Sequence, residues 1–311
     1  MTTAIYSHPE CKRHEMGDWH PECPARLQAI EDQFLASRID GLLEYREAPE
    51  ATIAAIERVH TPGVIARVRE NVHALQGGGY YPLDADTMLN EHSWNAALRA
   101  AGAAIAATDA VIAGELENAF CAIRPPGHHA RPTESMGFCL FDNIAIAAKH
   151  ALEAHGLQRV AIVDFDVHHG NGTEEAFCND PRVLMTSFFQ HPFYPYSEIR
   201  DDLPNMVNVP VPAYTKGDEV RRLVSEKWLP ALRAHRPQMI FISAGFDAHR
   251  EDEMGQMGLV EADYAWITRQ VMEVAREHAQ GRIVSCLEGG YNLSALARSV
   301  VAHVKALADI D

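Results

Sequence analysis

The stretch Val160–Gly172 constrains the fold more strongly than any other part of the chain. It begins as an apolar, β-branched run, VAIV, and ends in the polar residues and glycines of DVHHGNG. This order is typical of a buried strand in a parallel sheet that leads into a functional loop. Because side chains alternate along a strand, Asp164, Asp166 and His168 are predicted to point the same way at its carboxyl end.

Two carboxylates and an imidazole at that edge of a sheet predict a site for a divalent metal ion. The structural alternative is that Asp164 caps a helix or makes a hydrogen bond, and that His168 is a buried polar residue. A phosphate-binding loop at Gly170-Asn-Gly172 is weakly indicated, because the chain has neither a Walker lysine nor a dinucleotide fingerprint.

Strands alternate with helices along most of the chain, which predicts βα units and an α/β fold with a parallel sheet covered on both faces. Pro24 is predicted to open a helix that buries Leu27, Ile30, Phe34 and Leu35, and Ser93 to cap a helix that extends to about residue 113. No linker is visible, so a single domain over 1–311 is predicted. The predicted strands of the alternating region are 119–123, 159–166, 182–188, 238–243 and 282–287.

Composition and charge limit the classes of function. With 47% hydrophobic residues the chain has ample material for a core. Its 27 basic and 43 acidic residues give a net charge of −16, so direct nucleic-acid binding is not expected. The same negative field favours cationic substrates, although an acidic pI is also common among soluble enzymes.

Cysteine use and hydropathy predict a soluble cytoplasmic protein. The six cysteines form no CxxC pair, and Cys121, Cys139 and Cys286 lie among apolar residues, which is typical of buried thiols in a reducing compartment. The first residues lack a basic region followed by an apolar stretch, so no signal peptide is expected. No apolar run approaches the ~18 residues of a membrane span, so no membrane partner is expected either.

Residues able to do chemistry follow four separate predicted strands. These are the pair His128 and His129, the Asp164–His168 group, Asp247, and Tyr291. Loops at the carboxyl ends of strands share one crevice in an open α/β sheet, so these side chains are predicted to meet. A solvated surface pair remains the alternative for the two histidines, and a capping aromatic for Tyr291.

Asp166, His168 and Asp247 would supply three metal ligands and leave an open coordination position, as a catalytic zinc site requires. Asp164 could orient one of the paired histidines as a base, and the Tyr291 phenol could donate to a developing oxyanion. The glycines before Tyr291 would let the backbone approach a ligand closely. Five aromatic residues are expected in the core, namely Phe138, Phe188, Phe189, Phe193 and Tyr194. For Phe138 and Tyr194 the alternative is a position in a channel wall.

Four motifs together resemble the zinc-dependent histone deacetylase superfamily, which includes bacterial histone-deacetylase-like amidohydrolases and acetylpolyamine amidohydrolases. The similarity runs from His20 to the last helix. It implies the arginase/deacetylase fold, with a central, mainly parallel eight-stranded sheet and helices on both faces. The motifs are Arg124-Pro-Pro-Gly-His-His129, Asp164-Phe-Asp-Val-His-His-Gly-Asn-Gly172, Ala244-Gly-Phe-Asp247 and Leu287-Glu-Gly-Gly-Tyr-Asn292.

The resemblance also implies roles for individual residues. The implied zinc ligands are Asp166, His168 and Asp247. The implied catalytic residues are His128 with its partner Asp164, the general base His129, Asn171, and the carbonyl-polarising Tyr291. The implied channel residues are Asp86, which holds the substrate backbone, and Gly137, Phe138, Tyr194, Gly289 and Gly290. A structural potassium ion is implied at Asp164, Asp166, His168, Ser187 and Phe188, largely through backbone carbonyls.

Three positions bear on the subfamily. Asn171 stands where class I enzymes carry aspartate and is similar to class II, and Tyr291 is retained, so ordinary deacetylase activity is expected. Met254 stands where a polyamine-selective enzyme carries a glutamate gatekeeper, which weakens that mechanism without excluding polyamines. The segment 195–198 departs from the usual glycine-rich loop and changes the expected rim of the channel.

The leading hypothesis is a zinc-dependent amidohydrolase that removes acetyl or another short acyl group from amines such as acetyl-lysine by attack of metal-activated water. The alternative within the superfamily is a deacetylase of acetylpolyamines or other small amides. Two remote alternatives are a binuclear arginase-type ureohydrolase and a non-catalytic acyl-lysine-binding module. The sequence Asp247-Ala-His249 lacks the Asp-x-Asp pair that a ureohydrolase needs. Tyr291 and the paired histidines are present, which speaks against a non-catalytic module. Substrate identity and oligomeric state stay open.

Overall fold

A single eight-stranded sheet organises the part of the chain that the computed structural model describes, which is residues 2–75, 77–200 and 202–310. The ends of the predicted domain, residues 1 and 311, lie outside the described residues. The strands of this sheet are β1 (Thr3–Ser7), β2 (Glu44–Glu47), β5 (Asn118–Cys121), β6 (Val160–Asp164), β7 (Val183–Gln190), β8 (Met206–Val211), β9 (Ile240–Ala244) and β10 (Ile283–Leu287). A separate antiparallel pair is formed by β3 (Tyr81–Pro82) and β4 (Met88–Leu89).

The strand order is β2-β1-β5-β10-β9-β6-β7-β8, and every neighbouring pair in the large sheet is parallel. The predicted α/β fold is therefore confirmed, and the expected mainly parallel sheet is all parallel. The register pairs Asp164 with Ser187 on one side and Ser243 on the other. The carboxyl ends of the central strands consequently meet along one edge, as the sequence predicted.

Helices cover both faces of the sheet. One group consists of α1, α9 and α10, and another contains α4 and α5. No helix in the described ranges is long and apolar enough to cross a membrane. The helices are α1 (Ala25–Ala36), α2 (Ile53–Ile56), α3 (Pro62–Ala74), α4 (Ser93–Ile112), α5 (Asn143–Glu153), α6 (Asn171–Phe177), α7 (Gly217–Leu223), α8 (Leu229–His235), α9 (Glu261–His278) and α10 (Leu293–Leu307), with a π-helical segment, Val224–Trp228, between α7 and α8.

The central strands form because their side chains are apolar on both faces. Every residue of β6, β9 and β10 is buried. Burying one large aliphatic side chain stabilises a fold by about 1.5–3 kcal/mol, so these strands have a strong drive to occupy the middle of the sheet. The five predicted strands are all present, with ends displaced by at most two residues.

Both edge strands of the sheet were missed by the sequence patterns. Strand β2 has the sequence EYRE with an alternating exposure, and β8 contains Pro210. An edge strand pairs on one side only, so it tolerates charged residues and a proline that lacks an N–H. Neither strand therefore carries the apolar run that marks a central strand.

Two local predictions were wrong. Leu35 is 60% exposed, because it follows Phe34 by about 100° around α1 and so leaves the face formed by Leu27, Ile30 and Phe34. Ser93 is the first residue of α4 rather than its cap; its Oγ accepts the Asn90 N–H at 2.8 Å and stabilises the turn before the helix.

A fully buried ion cluster joins the N-terminal loop to the sheet. Glu22 accepts hydrogen bonds from Arg124 Nη2 at 2.6 Å and from Arg26 Nη1 at 3.1 Å, and all three side chains are inaccessible to solvent. Arg26 also donates to the carbonyls of Glu288 and Gly290. Burial by itself would raise the pKa of Glu22, but the charges of Arg124 and Arg26 outweigh it and hold the pKa at about 2, against an ordinary 4.5.

Replacing Glu22 by Gln is expected to lower the free energy of unfolding by about 3–5 kcal/mol, because it leaves two buried guanidinium groups without a countercharge. Urea denaturation at neutral pH measures the change. Since the pKa of Glu22 is depressed in the folded state, its contribution to wild-type stability should be complete above pH 4.5 and lost as the pH falls towards 2. The matched control is Glu219→Gln, whose partner Arg222 is exposed; an equal loss in the control would contradict the assignment.

Candidate active site

Asp164, Asp166 and His168 lie close together, but not through the alternation of side chains along a strand that the sequence predicted. Strand β6 ends at Asp164, so Asp166 and His168 lie in the following loop. Asp164 Oδ1 accepts the Asp166 N–H at 3.1 Å, and Asp166 Oδ1 accepts the His168 N–H at 2.8 Å. These successive side chain–backbone hydrogen bonds curl the loop and turn the side chains towards one another.

Asp247, which follows β9, completes the predicted ligand set. His168 Nδ1 lies 3.0 Å from Asp166 Oδ1 and 3.2 Å from Asp247 Oδ2. Asp247 Oδ1 accepts the Val167 N–H at 2.9 Å, which holds the two loops together. The ligand atoms of Asp166, His168 and Asp247 all lie within 4.8 Å of one another.

The electrostatics of these three side chains fit a bound cation. Burial and the charge of Asp166 raise the pKa of Asp247 to about 7, because a second carboxylate is difficult to ionise there. Burial would lower the pKa of His168, but Asp166 and Asp247 outweigh it and raise the pKa to about 10. Asp247 Oδ2 also lacks a well-directed hydrogen bond. Two oxygens and one nitrogen with a remaining open position are the donor set of a catalytic zinc ion.

The backbone at Gly289 packs closely against the side chains of Asp166 and Asp247. Gly289 donates its N–H to Asp166 Oδ2 at 2.9 Å, and a Cβ at this position would lie 2.0 Å from Asp247 Oδ2. Only glycine therefore fits at position 289. The Gly290 carbonyl accepts from Arg26 at 2.7 Å. Gly289 thus packs against Asp166 and Asp247, whereas Gly290 lies next to Leu296 and Phe246, and neither is among the described residues that line the cavity.

The paired histidines are buried, and each has a distinct partner. His128 Nδ1 lies 3.0 Å from Asp164 Oδ2, and His129 Nδ1 lies 2.8 Å from Asn171 Oδ1. The Asn171 amide nitrogen donates to Met136 Sδ, so the amide oxygen faces His129. A carbonyl oxygen can only accept, which places the proton of His129 on Nδ1 and leaves Nε2 with a free lone pair.

The two imidazoles have opposite pKa shifts. Burial would lower the pKa of His128, but the charges of Asp166 and Asp164 outweigh it and raise the pKa well above its ordinary value. The pKa of His129 is lowered well below its ordinary value by burial and by the neighbouring His128 and His168. His128 is therefore suited to stay charged, while His129 is suited to stay neutral with the lone pair of its Nε2 available.

Sequence reasoning assigned no role to Glu288, although it lies within a quoted motif. Its carboxylate is fully buried and accepts the N–H groups of Gly127 at 2.7 Å and His128 at 3.1 Å. Burial raises the pKa of Glu288 to about 8, despite the opposing charge of His128. An acid directly after the apolar strand β10 was the signal that could have identified it.

A cavity of about 300 Å³ reaches the ligand group at His168. Gly137 has a φ of +57°, and a Cβ there would lie 2.6 Å from His129 Cδ2, so glycine lets the wall approach the imidazole closely. Phe193, Tyr196 and Glu253 were not predicted as wall residues. The cavity is lined by Asp86, His129, Gly137, Phe138, His168, Phe193, Tyr194, Tyr196, Glu253, Met254 and Tyr291.

Aromatic rings form much of the wall. Phe193 stacks on His168 with ring centres 5.4 Å apart at 14°, and Tyr194 meets His129 edge-on at 5.3 Å. Phe138 packs against Tyr291 at 5.8 Å, also edge-on. The cavity therefore combines aromatic walls with the polar groups of His129, His168 and Tyr291, which suits an alkyl chain that ends in a polar group.

Tyr291 is held from two sides. The guanidinium of Arg26 lies 4.9 Å from the centre of its ring, and Asp252 Oδ2 accepts the N–H groups of Tyr291 at 2.6 Å and Asn292 at 2.9 Å. Burial raises the pKa of Tyr291 well above its ordinary value, although Arg26 acts in the opposite direction. The phenol therefore stays protonated and can donate a hydrogen bond.

Three of the residues predicted for a structural potassium ion, Asp164, Ser187 and Phe188, are neighbours in the sheet. Asp164 and Ser187 are register partners on β6 and β7, next to Phe188. Ser187 Oγ donates to the Phe188 carbonyl at 3.4 Å. Occupation of this position by a monovalent cation stays a prediction.

Comparison with known proteins assigns the family. The histone deacetylase domain model matches residues 20–307. A probable deacetylase of Archaeoglobus fulgidus is 36% identical over 100% of this chain and 88% of its own length. A histone deacetylase-like amidohydrolase of Pseudomonas aeruginosa is 38% identical over 88% of this chain and 73% of its own. The crystal structure of the HDA15 HD domain superposes with a TM-score of 0.93 at 34% identity, covering 100% of this chain and 90% of that one. The chain therefore belongs to the histone deacetylase family.

Proposed function

We propose that this protein is a zinc-dependent amidohydrolase that removes acetyl or another short acyl group from acylated amines such as acetyl-lysine. One observation carries the proposal. The ligand atoms of Asp166, His168 and Asp247 lie within 4.8 Å of one another, and His168 lines a cavity in whose wall His129 and Tyr291 also stand.

Asp166, His168 and Asp247 would hold the zinc ion. Bound there, zinc would polarise the acyl carbonyl and lower the pKa of a water to about 7. The side chains fit this task because two of the three ligands are buried carboxylates whose mutual repulsion a divalent cation relieves.

His129 is the proposed general base and acid. Its Nε2 carries the free lone pair, because Nδ1 donates to Asn171. It accepts a proton from the attacking water and delivers it to the leaving amine. His128, paired with Asp164 and charged, opposes protonation of His129 in the resting protein and stabilises negative charge as it develops.

Tyr291 is the proposed donor to the oxyanion. Its phenol remains protonated across the neutral range, and its backbone N–H donates a hydrogen bond to the Asp252 carboxylate. Donation from Tyr291 strengthens as the carbonyl oxygen gains negative charge, so it stabilises the transition state more than the substrate.

The walls bear on the substrate class. Phe138, Phe193 and Tyr194 would enclose the methylenes of an acyl-lysine, and Asp86 would accept N–H groups of the substrate backbone. Burial and the neighbouring Asp84 raise the pKa of Asp86 to about 6. Acetylated polyamines are the alternative substrate, because Asp86 and Glu253 both line the cavity and can pair with a second, charged amine.

We also propose a structural potassium ion at Asp164, Asp166, His168, Ser187 and Phe188. The support is the register of β6 and β7, which pairs Asp164 with Ser187 next to Phe188, and the loop of Asp166 and His168 that follows β6 directly. A monovalent cation there would offset part of the buried negative charge.

Replacing Tyr291 by Phe is expected to reduce kcat by about 100- to 1,000-fold, because the oxyanion loses one donor. Steady-state hydrolysis of an acetyl-lysine peptide measures the effect, and bound zinc and melting temperature should stay unchanged. Tyr214→Phe is the matched control, since Tyr214 is 76% exposed and lies outside the cavity lining. Wild-type turnover in the Tyr291 variant would contradict the assigned role.

Removal of metal by a chelator is expected to abolish hydrolysis, and added zinc to restore it. Asp247→Asn should retain one zinc ion fewer per chain than wild type, because it removes a charged ligand. Elemental analysis measures the content. Asp202→Asn, which changes an exposed carboxylate paired with Arg200, serves as the control. Full activity in the metal-free protein would overturn the proposal.

A side-by-side assay of an acetyl-lysine peptide and an acetylated polyamine should separate the two substrate classes. We expect hydrolysis of the peptide with a higher kcat/KM. If the polyamine is preferred, Glu253→Gln should reduce kcat/KM for the polyamine selectively, because a charged partner is lost at the cavity. Hydrolysis of neither compound by zinc-loaded protein would exclude acetyl-amine hydrolysis as proposed.

A further inference from the structure

A second group of metal-binding side chains lies outside the catalytic cavity, on the surface formed by α4 and α5. Asp109 belongs to the last turn of α4, His150 to the last turn of α5, and His155 to the segment after α5. Helix α5 begins beside the active-site loop, where Asn143 donates to the Pro125 carbonyl. Its 11 residues extend about 16 Å towards the opposite edge of the sheet. We call Asp109, His150 and His155 the α4–α5 cluster.

The three side chains converge on one point. His150 Nε2 and His155 Nε2 each lie 2.6 Å from the same oxygen, Asp109 Oδ1. The two imidazole rings are 5.2 Å apart and nearly perpendicular. One ligand atom from each residue lies within 4.8 Å of the others, as in the group formed by Asp166, His168 and Asp247.

We propose that the α4–α5 cluster binds a divalent transition-metal ion, with zinc the expected occupant. Two imidazole nitrogens and one carboxylate oxygen are a common donor set for zinc and for related first-row ions. The side chains of Asp109, His150 and His155 are 50%, 14% and 28% exposed, so water can reach the remaining coordination position. This site is independent of the proposed catalytic function.

The metal-free geometry needs only a small adjustment. Metal–ligand bonds of about 2.0–2.1 Å place tetrahedral ligand atoms roughly 3.3 Å apart. The present separations of 2.6 Å therefore have to open by less than about 1 Å. Asp109 can supply this movement because its carboxylate is half exposed. Binding releases the Nε2 protons that now bridge the imidazoles to Asp109.

Arg58 opposes binding and thereby offers a specific test. Its Nη1 lies 2.8 Å from His150 Nδ1. A guanidinium can only donate, so Nδ1 accepts and the proton of a neutral His150 lies on Nε2, facing Asp109. When Nε2 binds a metal ion the proton must lie on Nδ1, and Arg58 has to turn away. Glu153, whose Oε2 lies 3.5 Å from Arg58 Nε, is available to receive it.

The test compares the zinc content of wild-type protein with that of the double variant His150→Gln/His155→Gln. After equilibration with micromolar zinc and gel filtration, elemental analysis should find one zinc ion more per chain in wild type. The difference does not depend on the catalytic site, and acetyl-amine turnover should be equal in both proteins. Cobalt substitution provides a second readout, as the extra ion should add visible absorption that the double variant lacks.

Two further variants sharpen the test. His278→Gln removes a surface imidazole that lies 3.7 Å from Glu277 and belongs to no metal-binding group among the described residues, and it should leave the zinc content at the wild-type value. Arg58→Gln should tighten the extra site by roughly fivefold to tenfold, because a nearby positive charge and a competing donor are removed. Equal zinc content in wild type and the double variant, or an equal loss in His278→Gln, would overturn the proposal.

Discussion

The burial of acidic groups at one edge of the sheet is the constraint on which the structure depends. Asp164, Asp166, Asp247 and Glu288 are all inaccessible to solvent. Each would be costly to bury without compensation. The loops compensate them with backbone N–H groups and imidazoles, and the remaining negative charge is what makes the site suitable for a cation.

The same compensation connects segments that are distant in sequence. Asp166 accepts the N–H of Gly289, and Asp247 accepts that of Val167, so the loops after β6, β9 and β10 constrain one another. Arg26 extends this network to the N-terminal region by binding the carbonyls of Glu288 and Gly290. Hydrogen bonds between these loops hold the side chains of the site in one arrangement.

Much of the fold could be predicted because the central strands have a strong local signature. The runs of β6, β9 and β10 are apolar throughout, and the polar residues that follow them mark the functional edge. The edge strands β2 and β8 could not be predicted in this way, because a strand with one exposed edge has no continuous apolar pattern. Leu35 was wrongly assigned to the buried face of α1, because its apolar side chain does not by itself show which side of the helix it occupies.

The sequence by itself determined the α/β class, the family motifs and the side chains that meet at the site, because residue type and position after a strand carry that information. Only the tertiary structure decided how they meet. The curled loop after Asp164, the backing of the ligands by Gly289, and the amide orientation of Asn171 depend on hydrogen bonds between distant segments. The α4–α5 cluster is of the same kind, since Asp109 and His150 are brought together by helix packing and not by any spacing along the chain.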